Sequence, residues 1–195
     1  MAQIENSQQV ALLRGINVGR AKRVAMADLR KLLGDLGFAQ VRTVLNSGNV
    51  VYDGGKVAPA EAAARIEEAL VLKLGVAARV TVLSASQFAE LVEQNTLAPA
   101  ADAARLLTLV LNNPADVKRL APLLQQPWQP EALALGRWAA YAWCPDGVLA
   151  SKVVAALGVL LGDGVTSRNW ATMQKLHALL SGPDAAATSA FSKEH

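Results

Sequence analysis

The chain has 195 residues, of which 52% are hydrophobic and 18% charged, and its net charge is +3. That balance belongs to a globular chain and excludes a disordered one. No uninterrupted apolar run approaches the ~20 residues needed to span a bilayer, so no membrane partner is expected.

The charge is unevenly spread. Residues 1–60 carry eight Lys/Arg against four acids, and the remainder eleven against twelve, so +4 stands against −1. This favours anionic partners but is far from a nucleic-acid-coating tail. The single cysteine, Cys144, has no internal disulfide partner, and the opening MAQIENSQQV lacks the basic start and apolar middle of a signal peptide. Both make the cytoplasm the expected compartment.

In chain order, Val10–Ile16 reads as a buried strand ended by Gly15 and Asn17. Met26, Leu29, Leu32, Leu33 and Leu36 have helical spacing, with Gly37 placed to end the helix. Val41–Tyr52 holds two β-rich runs around Ser47-Gly48, a hairpin pattern. Pro59–Leu74 predicts a helix with proline in its first turn and Gly75 at its end. Arg79–Leu83 predicts a strand and Ser84–Gln94 a short capped helix. Asn95–Ala104, containing Pro99, reads as a linker.

The same order then returns. Arg105–Leu111 is an apolar strand and Pro114–Leu124 a predicted helix. Leu133–Leu135 and Trp138–Trp143 flank Gly136-Arg137 as a hairpin. Leu149–Leu161 predicts a helix, Gly164–Ser167 a short strand, and Asn169–Leu180 a closing helix stopped by Gly182-Pro183. The expected fold is therefore α+β: two ferredoxin-like (βαββαβ) subdomains, residues 8–97 and 104–183, each with an extra helix and packed into one compact unit. Residues 184–195 read as a flexible tail.

Three segments are candidate binding elements. Arg14, Asn17 and Lys22 lie in a glycine-containing loop between strand and helix, where backbone N–H groups and basic side chains can meet an anion. The loop is neither G-x-x-x-x-G-K-[ST] nor G-x-G-x-x-G, so neither nucleotide fingerprint is met. The bland alternative is a tight connection needing glycine conformations. Asn46, Ser47 and Asn49 could present amides and a hydroxyl, although a hairpin turn explains them fully. Arg168 precedes Asn169, a good N-cap, where an anion at the helix start could be clamped; capping plus a salt bridge is the alternative.

Other signals are weaker. One interior histidine, His177, and one cysteine leave few soft ligands, and no cofactor or metal is expected. Cys144 reads as a buried thiol. Trp128, Trp138, Trp143 and Trp170 read as packing residues, and the strands RLLTLVL and RVTVL lack the aromatics of RNA-binding sheets.

At these residues the chain resembles a bacterial family, that of the domain of unknown function 1697. The resemblance rests on Ala11–Gly19 (ALLRGINVG), Ser47–Val51 (SGNVV), Thr166–Trp170 (T-x-R-N-W) and Lys175-Leu176. It implies a pair of ferredoxin-like subdomains and brings no activity, cofactor or catalytic residue.

The expected function is binding of a small anionic, phosphate- or nucleotide-like ligand in a basic cleft between subdomains. Two alternatives stand behind it. One is a transferase or hydrolase acting on a phosphorylated substrate, with only Asp28, Asp53 and His177 as scattered general-base candidates. The other is a weak nucleic-acid-binding module built on the six basic residues between Arg14 and Lys31. Oligomeric state is left open.

Overall fold

Six consecutive residues, Gln8–Leu13, are all buried, which is what a strand in the middle of a sheet requires. In a computed structural model this strand, β1, opens an α+β fold of eight strands and six α-helices, described over residues 7–18, 22–98 and 102–182. Expectations for residues 19–21, for Pro99 and for the 184–195 tail lie outside the described residues.

The first half runs β1, α1 (Met26–Asp35), β2 (Ala39–Val44), β3 (Asn49–Asp53), α2 (Pro59–Leu74) and β4 (Val80–Ser84). Its sheet has the order β2-β3-β1-β4, with every neighbouring pair antiparallel. Side chains alternate across a strand, so Ala11, Leu13, Val50, Tyr52, Val80 and Val82 share one face. That face is covered by Leu29, Leu32 and Leu33 of α1 and Ile66 and Leu70 of α2. The other face, with Val10, Leu12 and Val51, is buried as well. Helix α2 has the bounds its sequence predicts: Pro59 begins it, and Gly75 ends it in the left-handed conformation.

After α3 (Ala85–Glu93), the second half repeats the plan: β5 (Leu106–Leu111), α4 (Val117–Leu120), β6 (Ala132–Leu135), β7 (Ala139–Trp143), α5 (Lys152–Leu161), β8 (Val165–Asn169) and α6 (Trp170–Ser181). The second sheet has the order β6-β7-β5-β8 and is again antiparallel throughout. Leu107, Leu109, Leu111, Ala140 and Ala142 on one face pack with Leu120 of α4 and Val153, Leu157 and Leu161 of α5. The chain divides into two units, Met1–Phe88 with Lys175–His195, and Ala89–Gln174.

Two predicted helices are shorter than expected. Pro114–Leu124 is not one helix but a 3-10 turn (Pro114–Asp116), the single turn of α4, and a second 3-10 turn (Ala121–Gln125). Pro122 has no N–H to return to the carbonyl of Lys118, so the α-helix cannot continue through it. Leu149–Leu161 likewise begins only at Lys152. Ser151 is extended (φ −72°, ψ 122°), and its hydroxyl accepts from Val154 N as an N-cap.

Candidate functional site

At one end of the first sheet, register brings three chain segments together. At the end of β1, Leu13 N donates to Gly48 O (2.8 Å), and just beyond it Arg14 N donates to Arg79 O (2.8 Å). The β1–α1 loop, the β2–β3 turn and the start of β4 therefore meet at this edge. Arg14 is half-buried here, while Lys22 and Arg23 are exposed.

Asn17 stitches the first two segments. Its side-chain amide donates to Val24 O and to Asn46 O, each at 2.8 Å, and its Oδ1 accepts from Val24 N at 2.8 Å. Its own N–H donates to Lys22 O (3.0 Å), closing the loop. Both amide hydrogens are thus used within the protein, and Asn17 acts as a loop clasp. Asn49 works similarly in the hairpin: it is fully buried, and its amide donates to Val44 O (2.9 Å). Asn46 and Ser47 are exposed at the turn. Gly48 has φ +73°, and a Cβ placed on it would lie 2.7 Å from Leu13 Cβ, so only glycine lets the turn close against β1.

Backbone strain concentrates here. Among the described residues four non-glycines have positive φ, and three of them are Asn17 (+56°), Lys22 (+51°) and Leu45 (+58°) in these two segments. Asparagine adopts this region readily, whereas lysine and leucine do so at a cost.

Arg168 and Asn169 lie in the other unit. Asn169 caps α6, its Oδ1 accepting from Thr172 N (3.0 Å) and from the Thr172 hydroxyl (2.7 Å), as its position predicts. Arg168 is half-buried and donates to Ser167 O (2.7 Å). Burial pulls its guanidinium down to about 10, because the charged form loses hydration there. Across the β5–β8 pair Arg168 faces Thr108, whose fully buried Oγ1 has no hydrogen-bond partner. Arg168 and Asn169 pair with Thr108 and Leu107, near the start of β5, whereas the Arg14 loop follows the end of β1. The two motifs therefore occupy opposite ends of equivalent central strands.

The candidate bases lie elsewhere. Asp53 is at the far end of β3 from Asn49, about 13 Å along the strand, and its Oδ1 caps Gly55 N (2.9 Å). His177 stacks on Phe88 with ring centroids 6.5 Å apart. Asp28 lines a surface cavity of about 190 Å³ with Lys31, Leu32, Asp35, Lys73 and Leu74. The Lys31 ammonium, hydrogen-bonded at 2.9 Å, holds Asp35 below its ordinary value, with Lys73 assisting at 3.5 Å. Cys144 is buried, and its thiol is pushed up by burial, the reverse of an activated nucleophile. Among the described residues no group of three His, Cys, Asp or Glu could hold a metal ion, and no helix is long and apolar enough to cross a membrane.

Arg79 was not singled out by the sequence. Only the β1–β4 register places it beside Arg14, where Glu67 both accepts from Val80 N (2.8 Å) and approaches the Arg79 guanidinium at 3.5 Å.

These features define an α+β protein of two four-stranded antiparallel sheets with a basic, strained loop cluster at the edge of one. The chain belongs to the family described as "Protein of unknown function (DUF1697)", whose model matches residues 7–141. It is similar to a solved structure, that of the conserved bacterial protein SP0830 from Streptococcus pneumoniae, at 25% identity and a TM-score of 0.74. The match covers 89% of this chain and 98% of the other. Among curated proteins none matches.

Proposed function

We propose that this protein binds a small anionic, phosphate- or nucleotide-like ligand at the loop cluster where Arg14, Lys22, Asn46 and Ser47 meet. The observation that carries this is the concentration of positive-φ residues in two loops clasped by Asn17, on an edge bordered by Arg14, Lys22, Arg23 and Arg79. Strained backbone persists where surrounding bonds over-determine it, and such places are enriched in ligand clamps. Arg14 and Lys22 supply charge, each charge-assisted hydrogen bond contributing roughly 1.5–3 kcal/mol. Asn17 and Asn49 hold the loops in shape, and Asn46 and Ser47 are exposed at the turn. Arg168 and Asn169 form a second anion-attracting pair at the start of α6.

We infer that each unit follows the ferredoxin-like βαββαβ plan. The support is the shared element order and the sheet orders β2-β3-β1-β4 and β6-β7-β5-β8.

Binding is favoured over transferase or hydrolase chemistry, because Asp53 stands at the opposite end of the sheet from Arg14. It is favoured over nucleic-acid tracking, because Lys31 is paired with Asp35 and Arg30 donates to Thr43. A thermal-shift screen of phosphate, pyrophosphate and nucleotides tests the reading. At least one anion should raise the melting temperature, and Arg14→Ala with Lys22→Ala should abolish the rise. No anion raising it would refute the proposal.

A further inference from the structure

Two exposed aliphatic side chains flank the Asn17–Asn46 bond. Val18, next to Asn17, is 72% exposed, and Leu45, next to Asn46, is 51% exposed. Each lies one residue, about 3.8 Å along the chain, from a member of the bonded pair. Scattered exposed aliphatics are ordinary. Leu45 is not ordinary, because it combines exposure with φ +58°. Leucine in the left-handed region is strained, and an exposed side chain recovers little burial energy in return. Asparagine or glycine would satisfy the same turn at lower cost. The fold therefore gives no reason for leucine at this position.

The surroundings suggest what does. Lys22 and Arg23 are exposed in the same loop as Val18, and Arg14 begins it. Ligand sites combine apolar walls with a few placed polar or charged groups. A bare inorganic anion would use the cations and leave Val18 and Leu45 in water. A ligand with an anionic head and a flat apolar body would use both.

We propose that the ligand of this site is a nucleoside phosphate: its phosphates lie toward Arg14 and Lys22, and its base lies against Val18 and Leu45. This rests on the anion-binding reading above and narrows it to one ligand class. Desolvating part of Leu45 against a base corresponds to about a five- to tenfold gain in affinity over the phosphate moiety alone.

The test compares ADP with pyrophosphate by calorimetric titration on the full chain. The variants are Leu45→Asn, which also relieves backbone strain, Val18→Ser, and the Arg14→Ala/Lys22→Ala pair. The wild type should bind ADP about five- to tenfold more tightly than pyrophosphate. Leu45→Asn should bring that ratio close to one, with pyrophosphate affinity unchanged and the melting temperature unchanged or higher. Val18→Ser should lower the ratio in the same direction, and the double cation variant should lose both ligands. Equal wild-type affinity for the two ligands, or an unchanged ratio in Leu45→Asn, overturns this inference and leaves anion binding standing. Failure of both ligands to bind wild-type protein overturns the anion reading and this inference with it.

Discussion

The side-chain amide of Asn17 donates to the main-chain oxygen of Asn46, 29 residues further along the chain, at 2.8 Å. With the two bonds to Val24, this fixes the β1–α1 loop and seats it on the β2–β3 turn. Replacing Asn17 by alanine removes all three bonds and leaves the N–H of buried Val24 without its acceptor. The expected loss is about 2–3 kcal/mol, read as a lower urea midpoint. Asn17→Asp keeps the acceptor for Val24 N but turns a carboxylate oxygen toward the Val24 and Asn46 carbonyls, so at neutral pH it should lose at least as much as the alanine variant.

Gly48 and Gly55 have similar φ angles, +73° and +59°, but different surroundings. A Cβ at Gly48 would meet Leu13 Cβ at 2.7 Å and Ile16 Cδ1 at 2.8 Å, whereas nothing lies within 4 Å at Gly55. Gly55→Ala should cost about 1 kcal/mol, from conformation alone. Gly48→Ala adds overpacking of 1–3 kcal/mol or so, and it should also displace the turn from β1. Denaturation curves of the two variants separate conformational from steric cost.

Thr108 places a hydroxyl without a partner on a fully buried strand. Valine has nearly the same shape and no hydroxyl to desolvate. Thr108→Val should stabilise the fold by about 1 kcal/mol, and a lower melting temperature would contradict the account of this position.

Glu131 sits at the N-terminus of α5. Burial raises its carboxyl, but hydrogen bonds from the Ser151 hydroxyl and the Lys152 and Val153 N–H groups outweigh that and hold it below its ordinary 4.5. A carboxyl depressed in the folded state contributes its full stability above the unfolded value. That contribution is lost as pH falls through the folded value, so acid below about pH 4.5 weakens the wild type here. Glu131→Gln should be less stable at neutral pH and show a shallower decline on the acid side, followed by denaturant midpoints from pH 7 to 3.

Much of the architecture is legible in the sequence because its signals are local. Pro59 and Gly75 mark both ends of α2, and the apolar spacing of Leu29, Leu32 and Leu33 marks the buried face of α1. Pro122 is an equally local signal for the break after α4, one that a single helix over Pro114–Leu124 leaves unused. Relations carried by register are not local. Nothing in the linear order places Arg79 beside Arg14, or Glu131 on the amides of α5 twenty residues later. Asn17 shows the limit most clearly: a loop asparagine suits ligand binding and loop closure equally until Val24 and Asn46 are found around it.

Anion binding at the loops joined by Asn17 would be read residue by residue from backbone amide chemical shifts. In a ¹⁵N-labelled sample titrated with pyrophosphate, the shifts should move saturably and cluster at Gly15, Ile16, Lys22 and Asn46–Gly48. No saturable change, or changes confined to the α1–α2 groove around Lys31 and Lys73, would contradict it.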